Sequence, residues 1–79
     1  MIFIKHIKYF MKLSKAVAGR EYIVKEVLAV GDTLCRLQSL GVNSGASIFI
    51  LFNCNGRVVI IVGHQEIGLC KNSAEKIIV

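Results

Sequence analysis

His64 and Glu66 stand two residues apart in the run Gly63-His64-Gln65-Glu66. On an extended strand, residues i and i+2 project from one face. An imidazole and a carboxylate at this spacing would suit an acid–base pair or two ligands of a divalent transition metal. The competing reading is a solvated turn histidine. The second histidine is His6, and Asp32 is the only aspartate, so paired-carboxylate chemistry would have to draw on scattered glutamates. Cys35, Cys54 and Cys70 are far apart and form no C-x-x-C, so zinc-finger spacing is absent. An odd, dispersed set reads as buried or idle thiols in a reducing compartment. Neither G-x-x-x-x-G-K-[ST] nor G-x-G-x-x-G occurs, and no nucleophile motif is present. These residues point away from an enzyme. A divalent transition metal is the one cofactor they leave open, with His64 and Glu66 as the candidates.

The run LCRLQSLGVNSG, Leu34 to Gly45, carries a different signal. Leu34, Leu37 and Leu40 recur at every third position and predict a short helix over 33–40, capped at its start by Asp32 or Thr33. Gly41 is placed to be its left-handed C′ residue. If the leucine stripe faces a core, Arg36 projects outward beside Gln38 and Ser39. A plain lid with a solvated arginine and a recognition element are both compatible with that pattern.

The elements around this helix read as short strands. Residues 20–30, REYIVKEVLAV, alternate and then shift at Lys25-Glu26, which predicts one strand with a bulge or bend. ASIFILFN and RVVIIV flank Asn55-Gly56, a dipeptide that accepts positive φ twice and predicts a tight hairpin. EIGLC and IIV supply two more strands, separated by a turn capped at Asn72 or Ser73. Upstream, Ser14 is the expected cap of a short turn ending at Gly19. About five short strands and one helix in a small chain predict a mainly β, SH3- or OB-like barrel, a form that removes exposed edges. Phe49 and Phe52 are expected in the core or at its rim.

With 79 residues, 54% of them apolar, and a mean hydropathy of +0.63, the chain makes one domain that needs dense packing to be stable. The net charge of +5 is not spread evenly. Lys5, Lys8, Lys12, Lys15 and Arg20 face no acid before Glu21, whereas the remainder balances its charges. A nucleic-acid binder would show a basic stripe on a folded face, so no nucleic acid is expected as a partner. Residues 1–12 place Phe3, Ile4, Ile7, Phe10 and Met11 on one helical face and Lys5, His6, Lys8 and Lys12 on the other. That arm would suit peripheral contact with an anionic membrane or an acidic partner. Met11 is a second candidate start. No run reaches the ~18 apolar residues of a membrane span, and the lysines interrupt any signal-peptide core. The expected location is cytoplasmic.

The order Arg36-Leu37, Leu40-Gly41-Val42, Gly45 resembles the signature of the FeoA family, small proteins of bacterial ferrous iron uptake. LSKAVAGREYIVKEV before it and EIGLCKNSAEKIIV after it are similar to the family's opening and close, so the resemblance covers about Met11 to Val79. Cys35 stands where the family often has a second arginine, and Ala18 and Ser44 where prolines are common. The resemblance implies an SH3-like barrel over 11–79, preceded by a basic amphipathic extension over 1–10. It implies an accessory or regulatory role through the cytosolic part of the membrane ferrous iron transporter FeoB, with Arg36, Leu37, Leu40, Gly41 and Gly45 as the partner-binding element. A similar domain ends metal-dependent repressors of the DtxR type, which makes a metal-binding regulatory module the alternative. A homo-oligomer is compatible with either.

Overall fold

The computed structural model describes residues 11–79. The expected extension over 1–10 lies outside the described residues. Asn55 and Gly56 organise the centre. Their φ values of 54° and 94° are both positive, so the two-residue turn has the twist that antiparallel strands require. It joins β3 (Ser47–Cys54) to β4 (Arg57–Val62), paired from Cys54↔Arg57 to Ile48↔Val62. Gly63 (φ 62°) opens a second two-residue turn into β5 (Gln65–Leu69), paired with β4 from Val62↔Gln65 to Val58↔Leu69. β1 (Glu21–Ile23) adds to the other side of β3, giving the order β1-β3-β4-β5.

Period-2 alternation decides which face is buried. Ile48 and Ile50, Val58, Ile60 and Val62, and Ile67 and Leu69 point inward. The register of β3 shifts between Ile50 and Phe52, so Leu51 is the extra residue of a bulge. The bulge therefore lies in β3. The expected bend at Lys25-Glu26 is a full break instead. The run 20–30 splits into β1 and β2 (Glu26–Val27), and β2 pairs with β6 (Ile77–Ile78) in a second sheet. The fold has six strands in two sheets, mainly β as expected.

Both chain ends of the described region meet here. Met11 N–H donates to Val79 O at 3.0 Å, Val79 N–H donates to Met11 O at 2.8 Å, and Lys12 bridges Ile78. Lys12 is extended (φ −69°, ψ 143°), so the helical pattern expected through residue 12 gives way to this pairing at its last two positions. Leu13–Lys15 form a 3-10 turn whose Leu13 is fully buried. Ser14 lies inside that turn and caps nothing, and its buried Oγ has no hydrogen-bond partner. A hydrophobic turn docked on the core takes precedence over the cap pattern.

Asn53 ties this turn to the central hairpin. Its Nδ2 donates to Ser14 O (3.1 Å) and Ala16 O (2.6 Å), and its Oδ1 accepts from Gly56 N–H (3.1 Å). Three of the amide's four bonding directions are used, both N–H donors among them, which fixes one arrangement of two separate turns. Near the end of the chain, α2 (Lys71–Ala74) starts ahead of the expected cap. Cys70 takes the N-cap position without a side-chain cap, and Ala74 is buried.

Candidate partner-binding surface

The leucine-rich segment folds as α1 (Gly31–Ser39), two residues longer at its start than its periodicity indicates. Val30 holds the N-cap position and no side chain caps the helix, so Asp32 and Thr33 lie in the first turn. Asp32 still favours the helix there through its charge at the positive end of the dipole. The other end closes as expected. Gly41 has φ 92°, its N–H donates to Gln38 O (3.0 Å), and Val42 N–H donates to Leu37 O (2.9 Å). This pair of bonds is a Schellman cap, and its usual apolar clasp is present because Leu37 and Val42 are both buried. A Cβ on Gly41 would come within 3.3 Å of Val62 Cγ1, so the helix end sits directly on β4.

With that cap in place, Leu37 points into the core, Leu34 and Leu40 pack on it half-buried, and Arg36 is exposed. Arg36, Leu37 and Leu40 line one cleft of about 300 Å³, whose opposite wall is Ile67, Gly68, Leu69, Cys70 and Ser73. Gly41 adjoins this group. Gly45 does not. Its φ of 93° and its N–H donation to Val24 O (2.7 Å) shape the turn that leads into β3. His64 lies in the hairpin turn and Glu66 on β5, both exposed. His64 is therefore not on a strand, and the shared-face argument does not apply to the pair. Among the described residues, no group of three or more His, Cys, Asp or Glu side chains is placed to hold a metal ion.

The cysteines are free, as expected, but all three are exposed rather than buried. Cys70 Sγ bonds Ser73 Oγ at 3.5 Å, and this bond, with help from backbone N–H groups at the start of α2, holds its thiol below the usual range. The outer face of the larger sheet was the least readable surface. Phe49 (36% exposed) and Phe52 (54% exposed) stand outside the core, beside exposed Leu51 and across from Val59 and Ile61. Their position follows once Ile48 and Ile50 are fixed inward, yet the unbroken apolar run SIFILF offers no phase of its own. Phe52, Val59 and Gly68 floor a shallow groove of about 480 Å³ that ends at Cys54, Arg57 and Cys70. No helix among the described residues is long and apolar enough to cross a membrane.

Residues 11–79 match the family model described as the FeoA domain. The chain belongs to the FeoA family. FeoA proteins are accessory proteins of ferrous iron transport, and this chain is one of them. A protein of Methanocaldococcus jannaschii, provisionally named Fe(2+) transport protein A, is 36% identical over 67 residues, spanning 85% of this chain and 82% of that one. The crystal structure of an iron uptake regulatory protein (FeoA) superposes with a TM-score of 0.80 at 27% identity, covering 89% of this chain and 95% of the other. A manganese-dependent transcriptional repressor superposes equally well, with a TM-score of 0.80, over 89% of this chain and 40% of its own. At 18% identity that likeness is one of fold alone. The expected SH3-like fold is thus that of this FeoA protein.

Proposed function

We propose that this FeoA protein is a cytoplasmic, non-enzymatic accessory protein that binds the cytosolic part of the membrane ferrous iron transporter FeoB. The observation that carries this reading is the grouping of exposed Arg36 with half-buried Leu40 on one cleft wall, held there by the Gly41 cap. The chemistry is that of a protein interface: an apolar surface with an adjacent guanidinium that offers a charge-assisted, two-pronged bond to a carboxylate. Docking acts by preferring one conformational or assembly state of the transporter, since a partner shifts an equilibrium only by its differential affinity for the states. Titration calorimetry of the full chain against the transporter's cytosolic domain, in each nucleotide state, tests the reading. Wild type binds, while Arg36→Ala and Leu40→Ala weaken binding roughly tenfold each, the loss expected for a charged hydrogen bond or a truncated apolar contact. No binding by folded wild type in any nucleotide state sinks the proposal.

A further inference from the structure

β5 is a sheet edge, and its outward bonding groups can be assigned from the hairpin. Val62 and Gln65 flank a two-residue turn, so they form a hydrogen-bonded pair, and bonding alternates along the ladder from there. Gln65, Ile67 and Leu69 direct their N–H and C=O groups at β4. Those of Glu66 and Gly68 point away from the sheet. The central hairpin gives the same phase: its closing pair Cys54↔Arg57 turns Arg57 and Val59 toward β3, which leaves Val58, Ile60 and Val62 for β5. β5 is last in the strand order, so no strand of its sheet meets the outward groups.

Edges are normally blunted by proline, by charged side chains, by a bulge, by extreme shortness or by a covering element. β1, at the opposite edge, has three residues, whereas β5 has five, with continuous register, no proline and a single charged side chain, Glu66. α1 stands beside β5 without packing onto its edge, and the 300 Å³ cleft lies between them. That cleft has a mixed lining, with Leu37, Leu40, Ile67 and Leu69 beside the polar Thr33 and Ser73, and its one charged side chain is Arg36. At Gly68 a Cβ would meet nothing within 4 Å, so the outer face of the sheet is uncrowded beside this outward-bonding residue.

We propose that this slot takes one extended, acidic-and-apolar peptide segment, which adds to the sheet as a fifth strand along β5. Its backbone bonds the N–H and C=O groups of Glu66 and Gly68, its apolar side chains meet Leu40 and Ile67, and one carboxylate meets Arg36. A single segment is favoured over a second copy of this chain, because two β5 edges brought together would carry two copies of α1 to the same junction. The inference rests on the docking reading above and specifies what the transporter's cytosolic domain would insert.

Amide hydrogen exchange of the full chain, residue by residue, tests it with two probes: the peptide acetyl-Thr-Ile-Asp-Ile-Thr-amide at millimolar concentration, and the transporter's cytosolic domain. With either probe, exchange at Glu66 and Gly68 slows at least tenfold, while Ile67 and Leu69, already bonded to β4, change little. Gly68→Pro fixes φ and removes an outward N–H, a change that an edge strand accepts without losing a ladder bond. It keeps the thermal midpoint of the wild type and loses this binding, and Arg36→Ala weakens the peptide several-fold. Domain binding without protection at Glu66 and Gly68 overturns the strand-addition proposal and leaves docking intact. Protection by the peptide with no binding of the domain supports the slot and overturns its assignment to the transporter. No protection by either probe, or undiminished peptide binding by folded Gly68→Pro, overturns the proposal outright.

Discussion

Asn53→Ala is the sharpest test of how the fold is held together. The wild-type amide makes three hydrogen bonds, two donated to Ser14 O and Ala16 O and one accepted from Gly56 N–H. A typical intramolecular hydrogen bond contributes about 1 kcal/mol net, and a partner left unsatisfied in a buried place costs more. Three bonds at the typical value come to about 3 kcal/mol. Asn53 is half-buried and water reaches part of the site, so about 2 kcal/mol is the expected loss. A domain of this size has a total of about 4–12 kcal/mol. Thermal and urea unfolding followed by circular dichroism would show the midpoint falling by about 8–16 °C, using about 4–8 °C per kcal/mol. Asn53→Asp keeps the acceptor for Gly56 N–H but turns a second oxygen, with charge, toward two carbonyls. At neutral pH it falls further than Asn53→Ala. If Asn53→Ala unfolds within 0.5 kcal/mol of wild type, the amide is not the tie between the two turns and the reasoning fails.

Gly41→Ala forces a left-handed residue to carry a Cβ and brings that Cβ to 3.3 Å from Val62 Cγ1, so it lowers stability by about 1–2 kcal/mol in urea unfolding. Ser14→Ala removes a buried hydroxyl that has no partner; it is neutral or stabilising by up to about 1 kcal/mol, and a loss of stability would mean that the hydroxyl is bonded in solution. Cys70 alkylates with a midpoint below the ordinary thiol value, because Ser73 stabilises the thiolate. Ser73→Ala moves that midpoint up, and an unmoved pH profile of alkylation would show that Ser73 is not the cause.

The central hairpin and the end of α1 were legible because their signals are backbone constraints. Asn55-Gly56 and Gly41 occupy conformations that few residues accept, so residue type alone locates them. The start of α1 was not legible. Asp32 and Thr33 are good caps in general, but Gly31, with φ 64°, turns the chain into the helix before either is reached. The split of residues 20–30 into two sheets depends on Lys25 N–H donating to Ile78 O (2.7 Å), a contact with the far end of the chain that no local pattern announces. The proposed recognition element was partly legible. The spacing of Leu34, Leu37 and Leu40 placed Arg36 outward, and the structure agrees. The wall opposite Arg36 was not, because Ile67 to Ser73 are distant in sequence and meet α1 only through the path of β5.

The segment from Leu34 to Gly45 raises a question of economy: how one short helix can plug a core and, on the proposed reading, also face a partner. The cap answers it. Because Leu37 and Val42 clasp each other in the interior and Gly41 seats the helix end on Val62, the helix is fixed from below by apolar contacts that leave its outer side chains free. Arg36 and Leu40 are then presented on a rigid support, which limits the side-chain ordering that a partner must overcome on binding. The same seating holds α1 beside β5 without letting it cover that edge. Destabilising the cap and deleting Arg36 should therefore separate cleanly. Gly41→Ala lowers stability and loosens the α1 wall of the slot, whereas Arg36→Ala leaves unfolding unchanged and weakens only what binds there.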